Sequence, residues 1–252
     1  MSTLMIVVAA LMYVFMMVMN TLANTMPING ITTGDVSYKY PNLFQPTGLT
    51  FSIWGIIYLL LFAYVVFQFT TIGKPMSVEL RALFLKVNVL FAISSLFNAL
   101  WLLAWHYDKI VLSTVIMILL LITLVLISKI TPALGNLTRT SFSVYFGWIT
   151  IATIANVTIM LVKLGVPSFS QSSVLLTVGI LVVGLILASL WIYLEKDIAY
   201  GLVILWAYLG IVLRHLSVSE LNRGYPLIYV TALVVMGILT FVSLIATYQW
   251  LR

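Results

Sequence analysis

Ser143-Val144-Tyr145-Phe146-Gly147-Trp148-Ile149-Thr150-Ile151-Ala152-Thr153-Ile154-Ala155-Asn156 lies within an apolar run long enough to cross a bilayer. Residues three and four apart share one face of a helix, so Tyr145, Trp148, Ala152 and Asn156 form a single stripe. That stripe sets two aromatic rings, a gap and an amide along one wall. An amide in hydrocarbon is costly unless it has a task or a partner. The reading of the whole chain starts from this helix.

Around it the composition excludes most fold classes. Of 252 residues, 63% are apolar and 7% are charged, whereas an ordinary soluble domain carries about a quarter charged residues. The apolar residues come in long unbroken runs rather than alternating, which removes β-sandwiches and membrane barrels. The fold class is therefore all-α, a polytopic helical membrane protein. Spans of roughly 20 residues are expected at about 4–24, 48–70, 80–105, 110–130, 142–163, 173–194, 198–215 and 226–250. The prolines Pro27, Pro41, Pro46, Pro75, Pro132, Pro167 and Pro226 all fall between runs or at the start of one, where a missing N–H is harmless. Two junctions carry charge instead, His106-Tyr107-Asp108-Lys109 and Glu195-Lys196-Asp197.

The first run has no Lys or Arg ahead of it and is longer than a signal core, so it reads as a retained helix. The stretch 25–47 is the one substantial connection, rich in turn formers, and suits either a lid or a solvated connector. The net charge of +6 lies in loops and speaks for topology and anionic headgroups, not for nucleic acid.

The interior of the spans limits the chemistry. The carboxylates Asp35, Glu79, Asp108, Glu195, Asp197 and Glu220 lie in loops or at helix ends, unlike the intramembrane relays of proton-driven pumps. With no cysteine, and with His106 and His215 near span ends, neither a metal centre nor a covalent cofactor is expected. No nucleophile–base set, HExxH helix or phosphate loop occurs, so the protein reads as a non-enzyme. Amides and indoles remain: Asn20 and Asn24 one turn apart, then Asn98 and Trp101. Buried Asn also serves simply to bind helices together. Trp105, Trp191 and Trp250 at span ends read as interfacial anchors, whereas Trp54, Trp101 and Trp148 sit deeper.

Three segments resemble the TspO family (translocator protein, or tryptophan-rich sensory protein). Phe44-Gln45-Pro46-Thr47-Gly48 through Trp54 and Tyr58 is similar to the family's lead-in to its second helix. Asn98-Ala99-Leu100-Trp101 resembles its third helix, and the Tyr145 to Asn156 pattern its fifth. The resemblance covers residues 1–163 and implies a five-helix bundle, followed by a three-helix extension over 164–252. It further implies a pocket for a flat hydrophobic ligand such as a porphyrin or sterol, lined by Trp54, Tyr58, Asn98, Trp101, Tyr145, Trp148, Ala152 and Asn156. The sequence departs from the family at Leu49, where an aromatic is usual, and lacks its prolines within spans. The expected role is a membrane receptor or carrier. The alternative is a facilitative transporter of a small amphipathic metabolite, not coupled to ions. The expected partners are the lipid bilayer and the hydrophobic small molecule, with a homodimer left open.

Eight spans place both termini on one face. That face receives Lys74, Arg81, Lys86, Lys129, Arg139, Lys196 and Arg252, against Lys39, Lys109, Lys163, Arg214 and Arg223 on the other. The positive-inside rule then puts both termini in the cytoplasm, in a bacterial cytoplasmic membrane. Tags at both ends should respond alike to protease in sealed vesicles; opposite sidedness would break the span count.

Overall fold

A computed structural model describes residues 3–26 and 28–251, with side chains for all of these except 250 and 251. Pro27, Arg252 and the Trp250 side chain thus lie outside the described residues. The described chain forms α1 (Thr3–Thr25), α2 (Thr33–Lys39), α3 (Ile53–Phe69), α4 (Val78–His106), α5 (Ile110–Ile130), α6 (Asn136–Lys163), α7 (Gln171–Glu195), α8 (Ile198–Leu216) and α9 (Pro226–Leu251), with short 3-10 turns between some of them. Eight of these helices are long and apolar enough to cross a membrane, as the sequence reading expects. α2 is the added element. α6 starts at Asn136 rather than near 142, because its first turns carry Thr138 and Ser141, polar residues that the fold buries completely.

The chain divides into two compact units. The first comprises residues to Lys39 and Trp54–Ile149, and the second Tyr40–Ile53 with the residues from Thr150 on.

In the first unit α1 packs on α4, and α4 pairs with α5 through a tight turn. Ser77 opens α4 by accepting a hydrogen bond from the Leu80 N–H, supplying a cap where the first turn has none of its own. Asp108 turns the chain in the left-handed conformation, φ 55°, and the Lys109 N–H closes the turn on the Ala104 carbonyl at 2.8 Å. The core is a triad of edge-to-face rings. Tyr64 and Phe142 lie 4.9 Å apart, Phe91 and Phe142 5.4 Å, Tyr64 and Phe91 5.8 Å. This arrangement sets the positive edge of one ring on the negative face of the next.

α2 is held against the end of α4. The Trp105 indole donates to the Thr33 carbonyl at 3.1 Å, Asn29 Nδ2 to the His106 carbonyl at 3.1 Å, and Lys39 pairs with Asp108 at 2.7 Å. Trp105, read from sequence as an interfacial anchor, is therefore buried, as is His106, whose Nδ1 donates to the Leu102 carbonyl at 2.8 Å. α2 itself starts on a reciprocal cap. The Thr32 N–H and hydroxyl both donate to Asp35, whose own N–H donates back to Thr32 Oγ1. Those two donated bonds hold the Asp35 carboxyl below its ordinary range, so the cap persists above that lowered pKa and is lost as pH falls through it.

In the second unit α7 and α8 both pack on α9 and on each other. Tyr208 donates to the Leu181 carbonyl at 3.1 Å across the α7–α8 contact. A Cβ at Gly184 would stand 2.2 Å from the Tyr208 hydroxyl, so a larger side chain there would push that hydroxyl from its place. Asp197 caps α8, accepting from the Tyr200 N–H at 3.1 Å and the Trp191 indole at 3.3 Å.

One face of α8, stepped at Trp206, Gly210 and Arg214, holds the segment 42–50, a turn and irregular stretch leading into the 3-10 helix Gly48–Ser52. Trp206 Nε1 donates to the Thr50 carbonyl at 2.9 Å, and the Thr47 N–H donates to the Gly210 carbonyl at 3.2 Å. Arg214 Nη1 reaches the carbonyls of Asn42 at 2.7 Å and Gln45 at 2.9 Å, and His215 Nε2 that of Leu43 at 2.9 Å. Its other side is paired with Glu220 at 3.0 Å. Sequence alone treats Arg214 and His215 as peripheral; both are buried. They lie inward because the non-helical backbone of residues 42–45 leaves buried carbonyls that need donors. Gly210→Ala should disrupt this contact, since its Cβ would meet three Thr50 side-chain atoms at 2.0–2.9 Å, including the rigid Cβ. The expected loss is about 1–3 kcal/mol, read as a lowered thermal midpoint in detergent. An unchanged midpoint would show that the segment moves aside.

Candidate ligand site

Apolar helices in lipid gain little from burying one another's side chains, so specific polar and aromatic contacts decide how they associate. The first unit carries such a set. Tyr58 Oη donates to Asn20 Oδ1 at 2.6 Å, Asn20 Nδ2 to Asn98 Oδ1 at 2.7 Å, and Asn98 Nδ2 to Tyr145 Oη at 3.1 Å. This chain of hydrogen bonds ties α3, α1, α4 and α6 together. Tyr13 adds a link from α1 by donating to the Tyr58 carbonyl at 3.0 Å. Each Asn side chain satisfies its hydrogen-bonding capacity largely on other side chains, the condition for leaving an amide in hydrocarbon.

Trp54 meets the rings at both ends of that chain. Trp54 stacks on Tyr58 with centroids 5.4 Å apart and planes 22° from parallel. It also meets Tyr145 at 6.2 Å and the edge of Trp148 at 6.3 Å. Tyr145 and Trp148 are buried, whereas Trp54 and Tyr58 are half-buried, so part of each of these two ring surfaces remains accessible. A flat conjugated molecule can extend such a stack, and the phenol–amide chain supplies donors and acceptors at its edge.

The expected site residues divide as follows. Trp54, Tyr58, Asn98, Tyr145 and Trp148 are joined by the contacts above. Trp101 follows Asn98 on α4 and pairs with Trp105, ring centroids 5.7 Å apart. Ala152, half-buried, and Asn156, buried, continue the Tyr145–Trp148 face of α6 within the second unit. Asn20 was legible as a buried amide but not as the centre of the chain, because its partners lie on other helices. The α8 face went unread, although the Trp206-x3-Gly210-x3-Arg214 spacing is its one sequence signal.

Two other features are too limited to serve as the site. A cavity of about 20 Å³ in the second unit, between Asn42, Thr158, Pro167 and Ser173, has room for water but not for a polycycle. Among the described residues, no group of three His, Asp or Glu is placed to hold a metal ion. The interhelical amide chain predicts a clear contrast. Asn98→Leu should lower the thermal midpoint by leaving Asn20 and Tyr145 without their partner, at about 1–2 kcal/mol per interhelical bond. Asn24→Leu should cost far less, because Asn24 Nδ2 donates only within its own helix, to the Asn20 carbonyl. Equal losses would contradict the central role of Asn98.

Comparison with known proteins gives one result of consequence. No curated protein and no solved structure matches the chain. The family model described as TSPO-like protein matches residues 6–245, nearly the whole chain, and so runs on through α7, α8 and most of α9. Together with the eight apolar helices, this match establishes an integral membrane protein: the chain belongs to the TSPO-like protein family.

Proposed function

We propose that the protein is a non-catalytic membrane receptor or carrier for a flat, hydrophobic, polycyclic molecule of the porphyrin or sterol kind. The ligand extends the Trp54–Tyr58 stack and takes its orientation from the Tyr58–Asn20–Asn98–Tyr145 chain. The observation that carries this reading is the half-buried Trp54–Tyr58 stack set directly on a buried hydrogen-bonded chain. Packing alone calls for neither an accessible indole nor a linked series of phenols and amides. In this reading residues 1–163 form the TspO-like bundle and 164–252 a three-helix extension, and Ala152 leaves space where a larger side chain would close the α6 face.

A carrier that releases its ligand on either side of the bilayer would be a facilitative transporter, the second reading. It is favoured by one feature, the position of every carboxylate in a loop or at a helix end, which leaves no acidic ion-coupling group in the middle of a span.

Adding a porphyrin to the protein in nanodiscs should quench tryptophan fluorescence. Trp148→Ala removes the ring whose edge contact holds Trp54 in place for the ligand, an aromatic contact worth about 0.5–1.5 kcal/mol beyond its buried area. With the lost burial, affinity should fall roughly tenfold or more, at about 1.4 kcal/mol per decade. Ala152→Leu should weaken binding by filling space. Trp191→Phe, whose indole contacts Asp197 at the α7–α8 turn, should leave affinity unchanged. Equal small effects from all three changes would refute the site.

A further inference from the structure

At the other end of the first unit a second set of polar groups is buried without protein partners. Gln68 Nε2, Ser128 Oγ and Thr138 Oγ1 have no hydrogen-bond partner in the protein, and their residues are 1%, 3% and 0% exposed. They belong to three helices but to one level of the bundle. Gln68 is in the last turn of α3, Ser128 in the last turn of α5 and Thr138 in the first turn of α6. Asn88 of α4 joins them, donating to Gln68 Oε1 at 2.5 Å and accepting from Tyr64 Oη at 2.9 Å. Two registers bring the others alongside. Tyr64 and Phe142 are in ring contact, and one turn further along each helix stand Gln68 and Thr138. Asn88 and Ser128 lie equally far in sequence on either side of Asp108, in the turn that joins the paired helices α4 and α5.

Turning the Gln68 amide does not remove the problem: whichever end faces Asn88, the other remains buried. Buried polar groups almost always find a partner, and where the protein offers none an ordered water supplies two to four bonds. The position suits water rather than a large ligand. Exposed Lys86 and Lys129 flank Asn88 and Ser128, so the level lies close to the membrane surface. The ring triad Tyr64–Phe91–Phe142 closes it on the inner side.

We propose that Gln68, Ser128, Thr138 and Asn88 form an internal hydration site, a layer of exchangeable water walled off by the ring triad. It goes beyond the polycycle-binding reading and does not depend on it. The layer gives any small neutral hydrogen-bonding solute a polar foothold on that face of the unit, as far as the rings.

Radiolytic hydroxyl-radical labelling of the whole protein in nanodiscs, after rapid mixing into H2 18O, tests this directly. The rings of Tyr64 and Phe142 should incorporate the heavy isotope although both are fully buried. Met117, equally buried at mid-span on α5 and easily oxidised, sets the dry background. Thr138→Val keeps the shape and removes the hydroxyl, so it should lower both the labelling and the thermal midpoint. Ser128→Ala repeats the test should Thr138→Val not fold. Labelling of both rings no higher than that of Met117 overturns the proposal. So does a raised midpoint in Thr138→Val, the result expected when an orphan hydroxyl is removed from a dry core.

Discussion

The hydrogen bond between Asn20 and Asn98 is the contact on which the first unit turns. Lipid is as apolar as leucine, so burying leucine between helices provides little drive to associate and less direction. A side-chain amide has both. Asn20 accepts from Tyr58 while donating to Asn98, and Asn98 in turn donates to Tyr145. Those bonds fix rotation and depth for four helices at once, because a slip of one residue on any of them would leave a buried amide unpaired. Ring packing then follows: with the helices in this register, Trp54 faces Tyr58, Tyr145 and Trp148.

The second unit solves a related problem with charge. Residues 42–47 form a turn and an irregular stretch ahead of a short 3-10 helix at Gly48–Ser52, and their carbonyls have no helix to satisfy them. Arg214 and His215 provide the donors, with Glu220 pairing the guanidinium. A charged side chain here acts as a backbone partner. Its burial is tolerated because its bonds are filled on two sides. Gly210 has the complementary role, letting Thr50 approach the helix backbone where any side chain would collide.

What the sequence made legible follows from what is local. Hydropathy, prolines and the charged junctions give all eight spans, because the bilayer fixes span length, but they misplace the starts of α3 and α6, at Ile53 and Asn136 rather than about 48 and 142. The aromatic–amide stripe on α6 and the Asn98–Trp101 pair identify the family, and the family model then covers almost the entire chain. Long-range relations were not legible. Nothing near Arg214 in sequence announces that it grips Asn42, and nothing near Trp105 that its indole seats α2. Trp101 illustrates the same limit from the other side: three residues from Asn98, it packs with Trp105 on its own helix.

The grip of α8 on the lead-in segment also constrains how the protein is made. Arg214 and Asn42 are 172 residues apart, and synthesis proceeds at about 5–20 residues per second. The segment therefore leaves the ribosome many seconds before its partner helix exists. Throughout that interval its carbonyls must be satisfied by water or by the insertion machinery, and the helices between must enter the bilayer without it. Contacts this far apart in sequence form late and slowly. Insertion of α8 is thus a committing step in assembly, and a chain stalled before it would carry an unanchored segment at the very motif that marks its family.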